Sequence, residues 1–167
     1  KMPVISDKDG PFIGIEIEIE GIETTSNLPK GWTAIVDGSL REDGREFVSA
    51  ALAPRQILDS LAVMYAYLRK LSGRHPEFSW RTSGHIHMDA QTFLHGQFCS
   101  FLLLYCVFEE AFFKFCGEYR AKSIFCVPVT QSWLVGSISA FLKGEISITH
   151  LANNWEKYSA LNLTRLG

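Results

Sequence analysis

No two cysteines in this chain are spaced Cys-x-x-Cys. Cys99, Cys106, Cys116 and Cys126 stand apart, which argues against a zinc ribbon and against a thioredoxin-like redox motif. Their apolar neighbours predict buried, reduced thiols in a cytoplasmic protein. Charge of one sign is also missing: the formal net charge is -2 over 167 residues, so there is no basic footprint for nucleic acid. No apolar run is long enough for a membrane. The one membrane candidate, residues 91–108, is uncharged but contains Gln91, Thr92, His95, Gly96, Gln97 and Ser100. Its densely apolar part, residues 98–108, is roughly half of a bilayer span. The start has no long apolar run before a small-residue cleavage site, so no secretory leader is expected. A Gly-x-x-x-x-Gly-Lys phosphate loop, a Gly-x-Gly-x-x-Gly fingerprint, internal repeats and low-complexity segments are all absent.

What is there is a globular chain with 47% hydrophobic residues, long enough for one domain over residues 1–167 with a real core. The stretch 12–21 organises it. Ile15, Ile17 and Ile19 alternate with Glu16, Glu18 and Glu20. A strand sends successive side chains to opposite faces, so three isoleucines line one face and three carboxylates the other. Like charges in a row repel and call for a cationic partner. Taken alone, the row also reads as the solvated acidic face of a half-buried strand.

Further along, residues 32–36 and 45–50 read as short strands, separated by turn signals at Asp37-Gly38-Ser39 and Glu42-Asp43-Gly44. Pro54 opens a helix in which Ile57, Leu61, Met64, Leu68 and Leu71 share one face, and Gly73 stops it. Residues 78–89 read as a strand with His85 and His87 on one face. A long helix follows over about 92–117, apolar nearly all round and so expected to be packed on several sides. Thr130 caps a further helix ending at Gly144, and Ser147 caps a short one running to Trp155. Residues 157–163 return to a strand pattern. This order predicts an α+β domain: an antiparallel sheet with helices on one face.

Three groups carry potential chemistry: Glu16 and Glu18 with Glu20 beyond; Glu46; and His85 with His87, Asp89 following. Separately, each has an ordinary reading as surface carboxylates or hydrogen-bonded histidines. On one sheet they would gather carboxylate oxygens and imidazoles into one concavity. That donor set suits Mg²⁺ or Mn²⁺ better than a closed zinc site. Carboxylate-held Mg²⁺ most often serves a nucleotide phosphate. Without a phosphate loop, a nucleotide would be held through metal and basic side chains, for which Arg41, Arg45, Arg81 and Lys157 are the candidates.

Five motifs in order bear a resemblance: Gly14-Ile-Glu16-Ile-Glu18, Asp37-Gly38-Ser39-Leu40, Gly44-Arg-Glu46-Phe-Val-Ser49, Ser83-Gly84-His85-Ile-His87 and Lys157-Tyr158-Ser-Ala-Leu-Asn162. Together they resemble the amidoligases, carboxylate–amine ligases of the glutamine synthetase and glutamate–cysteine ligase superfamily found in phage and bacteria. The resemblance implies a curved antiparallel sheet whose concave face holds divalent ions and ATP. It implies that Glu18 and Glu46 ligate one metal, and that Glu16 and His85 ligate a second. His87 would touch phosphate or shape the site. Asp37 would handle the incoming amine, and Asn162 and Lys157 would sit near substrate or phosphate. It further implies small-molecule or peptide carboxylate and amine substrates, and assembly as a homo-oligomer.

The expected activity is therefore ATP-dependent amide or peptide bond formation through an acyl phosphate. Two rivals use the same face: a non-catalytic structural or binding protein, such as a phage component, and a metal-dependent phosphohydrolase. One departure is visible. The superfamily supplies a further metal-ligating glutamate and a phosphate-contacting arginine in a late Glu-Phe-Arg-like strand. After Asn162 this chain has only Leu163-Thr164-Arg165-Leu166-Gly167, so that strand is expected beyond Gly167 or the site is incomplete.

Overall fold

The computed structural model describes residues 11–22, 25–71, 78–90 and 93–166. Contacts gather the chain into two compact units, residues 1–89 and 90–167, where the sequence was read as one domain. The expected helix boundaries at Gly73 and Thr92 fall outside the described residues.

The first unit is a four-stranded sheet and one helix. Its elements are β1 (Ile13–Ile19), β2 (Trp32–Val36), β3 (Arg45–Ser49), α1 (Ile57–Leu68, preceded by a 3-10 turn at Pro54–Gln56) and β4 (Gly84–Met88). All neighbours pair antiparallel in the order β2-β3-β1-β4. Ile15, Ile17 and Ile19 of β1 are buried with Trp32, Phe47, Met64 and Leu68 in one core. The apolar face of the helix therefore covers the apolar face of the sheet. A one-residue slip of β1 would drive its glutamates into that core, so the register is strongly specified. Trp32 Nε1 donates to Ser60 Oγ at 3.0 Å, tying β2 to α1.

The second unit is helical: α2 (His95–Cys116), α3 (Leu134–Leu142) and α4 (Ile148–Asn153), with 3-10 turns at Glu118–Lys122 and Val129–Gln131. Phe98, Leu102, Leu134, Ile138, Phe141, Leu151 and Trp155 form its core. The protein is thus α+β, but only α1 belongs to the sheet's unit. The other helices close around a core of their own.

Four local expectations are corrected. α2 buries Phe98, Leu102 and Glu109 but exposes Leu103, Leu104, Val107, Phe108, Phe112 and Phe115, so it is not packed on all sides. The four cysteines are free, as expected, but Cys116 is exposed and the others are only partly buried. Thr130 does not cap a helix: its hydroxyl and its N–H both donate to Glu109, and α3 starts at Leu134. Residues 157–163 form no strand. A single bridge joins Ser159 to Val127, while Trp155 Nε1 donates to Ser159 Oγ at 2.8 Å and to the Leu161 carbonyl at 2.6 Å. These bonds curl the segment round the indole. Ser147, by contrast, caps α4 as expected, accepting from the His150 N–H at 3.1 Å.

Glu109 anchors the second unit. It is 1% exposed, and its carboxylate accepts from Val129 N at 2.7 Å, Thr130 N at 2.7 Å and Thr130 Oγ1 at 2.6 Å. Glu109→Ala would leave a buried N–H without a partner, and bonds to a charged group are worth about 1.5–3 kcal/mol each. The variant is expected to lose at least about 3 kcal/mol of stability, read as a lower melting temperature by circular dichroism. Glu109→Gln, which keeps one acceptor oxygen, should lose less.

Candidate metal centre

The chemistry-bearing residues collect on the sheet face away from α1. The pairing explains why. Glu18 stands directly opposite Glu46 of β3, and Glu16 stands directly opposite His85 of β4. Strand parity then puts His87 on the same face, across from Gly14. With no side chain at Gly14, the His87 ring is free to lean along the strand toward Glu16.

Glu16 is the hub. His85 Nδ1 lies 2.9 Å from its Oε2 and His87 Nε2 lies 2.8 Å from its Oε1. Burial pushes the Glu16 carboxyl up, but the hydrogen bonds and charge of the two imidazoles outweigh it and hold the carboxyl below its ordinary value. On its other side, His85 Nε2 lies 2.8 Å from Ser83 Oγ, and that hydroxyl donates to Glu18 Oε2 at 2.5 Å. A continuous chain Glu18–Ser83–His85–Glu16 results.

Among the described residues, Glu46 has no such partner drawn to it. Burial, then the neighbouring charges of Glu16, Glu18 and Asp37, push its carboxyl above the ordinary range, with only His85 acting the other way.

The donor set is one that could hold a metal ion. One ligand atom from each of Glu16, His85 and His87 lies within 4.8 Å of the others. The 2.8–2.9 Å oxygen–nitrogen separations are close to the spacing of adjacent ligands on an octahedron with bonds of about 2.0–2.1 Å. The histidines are about half exposed, so the face is open to solvent. Two imidazoles beside one carboxylate make the tight group richer in nitrogen than the sequence suggested, which suits Mn²⁺ at least as well as Mg²⁺. His87, assigned by resemblance to phosphate, belongs to this group. Glu18 joins it through Ser83, and Glu46 stands across from Glu18.

The remaining candidates are placed as follows. Asp37 lies near enough for its charge to act on Glu46, while its oxygens accept from Ser39 N and Ser39 Oγ, each at 2.8 Å, closing a tight turn. Arg41 and Arg81 both stand over the Trp80 ring. Arg45 shares the strand parity of Phe47, the face opposite Glu46, and its guanidinium reaches the Gly44 carbonyl. It is therefore not with the acidic group. Lys157 and Asn162 belong to the second unit. There Lys157 lies over the Tyr158 ring, and Asn162 accepts from Thr164 N and Oγ1 in a turn. Two contributors were given no role by the sequence reading, although Ser83 stood in one of its motifs. Ser83 carries a usable signal, since it shares the parity of His85 two residues later. Trp80 lies in a turn, a correction to the strand expected over 78–89, since β4 spans only Gly84–Met88.

Replacing the partnerless carboxylate should strengthen the fold. Glu46→Gln removes a like charge directly across from Glu18, an interaction worth a few tenths to about 1 kcal/mol. In metal-free protein the variant is expected to melt higher than wild type at neutral pH. The sign of the pH dependence follows from the raised carboxyl. The folded state keeps its proton to higher pH than the unfolded state, so wild-type stability falls as pH rises from the ordinary carboxylate value of 4.5 through the raised one. The gap between variant and wild type should close below that window, as thermal melts across pH would record.

No protein-family model, curated protein or solved structure matches the chain.

Proposed function

We propose that the chain is an ATP-dependent carboxylate–amine ligase whose divalent-metal site is the acidic and histidine-bearing sheet face. One observation carries the reading. Pairing of β1 with both β3 and β4 brings Glu16, Glu18, Glu46, His85 and His87 to one face, and these are the residues in which the chain resembles the amidoligases. The resemblance to the glutamine synthetase catalytic fold is part of the proposal; the α+β sheet with α1 on its far face is compatible with it.

Glu16, His85 and His87 would hold one ion, with Glu18 and Glu46 providing oxygen ligands beside it. A divalent ion bound there supplies charge neutralisation for a transferred phosphoryl group. The other tasks belong to the chain's own groups. Ser83 holds the Glu18 carboxylate and the His85 ring in a fixed relation, so that neither has to be ordered when ligand arrives. Asp37 has lone pairs left after its two bonds to Ser39 and would hold the N–H groups of an incoming amine. In the overall reaction a substrate carboxylate oxygen attacks the γ-phosphorus and ADP leaves. The amine nitrogen then attacks the acyl carbon, loses a proton and expels phosphate.

Hydroxylamine provides the test, because it intercepts an acyl phosphate as a hydroxamate. With ATP, Mg²⁺ or Mn²⁺ and a panel of amino acids and dicarboxylates, wild-type protein is expected to form a hydroxamate with at least one of them. Glu18→Gln should lower that rate by at least about a hundredfold without changing the circular dichroism spectrum. Phosphate release that needs neither carboxylate nor amine would identify a phosphohydrolase. Turnover unchanged in Glu18→Gln would remove the acidic face from the chemistry.

A further inference from the structure

Beyond Glu18, the acidic row changes character. Glu20 continues the parity of Glu16 and Glu18, yet it is only 6% exposed and faces a cationic turn. Its Oε1 accepts from the Arg41 N–H at 2.9 Å. Burial pushes its carboxyl up, but a bond from Ser79, the bond from Arg41 N and the charges of Arg41 and Arg81 together hold it low.

The turn itself is strained. Residues 41–44 close through Gly44 N to the Arg41 carbonyl at 2.9 Å, with Glu42 and Asp43 at φ of 48° and 57°. Left-handed backbone costs a non-glycine residue roughly 1–2 kcal/mol, and two stand here in succession. Gly44 cannot be replaced, because a Cβ there would meet the Leu40 Cβ at 2.3 Å. Gly21 N donates to the Glu42 carbonyl at 2.9 Å, so the end of β1 clamps the turn at two points. Strain that surroundings enforce in this way concentrates at functional sites.

What the clamp achieves is the placement of Arg41. Its guanidinium lies 5.6 Å from the Trp80 ring centroid, and that of Arg81 lies 4.7 Å from the same centroid. Arg81 Nη1 also donates to the Ser39 carbonyl at 3.1 Å. The turn carrying Trp80 is fixed by Thr82 Oγ1 donating to the Ser79 carbonyl at 2.9 Å and by Arg81 N donating to Ser79 Oγ at 3.1 Å. Trp80 is 57% exposed, and both arginines are exposed as well. Two guanidiniums on one indole repel each other. Each has five N–H donors in a planar fork, and only one of Arg81's is used on Ser39. A phosphate or carboxylate bridging the pair would relieve the repulsion and take up those donors.

We infer that Arg41, Arg81 and Trp80 form an oxyanion subsite beside the acidic face, which receives a phosphate chain or a carboxylate. Its role in a ligation rests on the function proposed above; its affinity for an oxyanion does not. Along β1 from the metal ligands, it is placed to hold a nucleotide's polyphosphate or the second carboxylate of a substrate.

Calorimetric titration of metal-free protein with sodium tripolyphosphate, and separately with glutarate, tests this. At least one should bind with unit stoichiometry. Arg41→Gln and Arg81→Gln should each weaken it by about tenfold or more, and Arg69→Gln, at the C-cap of α1, should not. Tighter binding of tripolyphosphate assigns the subsite to the nucleotide, and tighter binding of glutarate assigns it to the substrate. In wild-type protein the Trp80 indole N–H resonance, identified by its loss in Trp80→Phe, should move during the titration. Absence of binding by both anions, a stationary Trp80 resonance, or equal weakening by Arg69→Gln would overturn the proposal. Each of these outcomes is independent of whether Glu18→Gln abolishes turnover.

Discussion

The structure of the first unit turns on the repulsion along one strand. The isoleucines of β1 have to be buried, so its glutamates have to share the other face, and β3 adds Glu46 directly across from Glu18. The core therefore dictates where the negative charge collects, and the rest of the unit has to neutralise it. Each carboxylate meets this differently. Glu16 takes two imidazoles, Glu18 takes a serine hydroxyl that leads to one of them, and Glu20 takes the Arg41 N–H and lies within the field of the Arg41 and Arg81 charges. Glu46 is left with like charges around it. A sheet that tolerates such a residue holds a place where a divalent cation would be stabilising, which is the physical core of the proposed function.

β1 also explains how the two proposed sites would lie side by side. It is a central strand, flanked by β3 and β4, so histidines reach it from one side and a carboxylate from the other. At its end the same parity meets the two loops that carry Arg41 and Arg81. Groups that would bind a cation and groups that would bind an anion under these proposals are thus arranged in order along one strand. A metal–polyphosphate ligand, negative along its chain and positive at its ion, has that polarity.

Much of this was legible because it depends on local alternation. Period two in residues 15–19 gave the acidic face, and residues 32–36 form the expected strand without adjustment. The helical spacing of Ile57, Leu61, Met64, Leu68 and Leu71 gave the face of α1 that meets the sheet, and all five pack in that core. Parity in Gly84–Met88 put both histidines together. What the sequence could not supply was partnership across long separations. Nothing local says that His85 lies across from Glu16, 69 residues away, or that Arg45 points to the opposite face from Glu46. The failed strand at 157–163 has the same origin. Its alternation is real, but the Trp155 indole needs acceptors, and Ser159 and Leu161 turn back to provide them. Likewise Thr130 looked like a helix cap and is one member of the cage around Glu109. Tertiary hydrogen bonds to buried groups override local propensity wherever the alternative is an unpaired polar atom.

The central claim is that the acidic face binds a divalent metal through Glu16, His85 and His87. Anomalous diffraction from crystals soaked in Mn²⁺ tests it most directly. The account predicts a manganese peak within coordination distance of a Glu16 oxygen and at least one of the two imidazole nitrogens, lost in Glu16→Gln. A fully occupied ion elsewhere, with the Glu16–His85 and Glu16–His87 contacts intact, would contradict it.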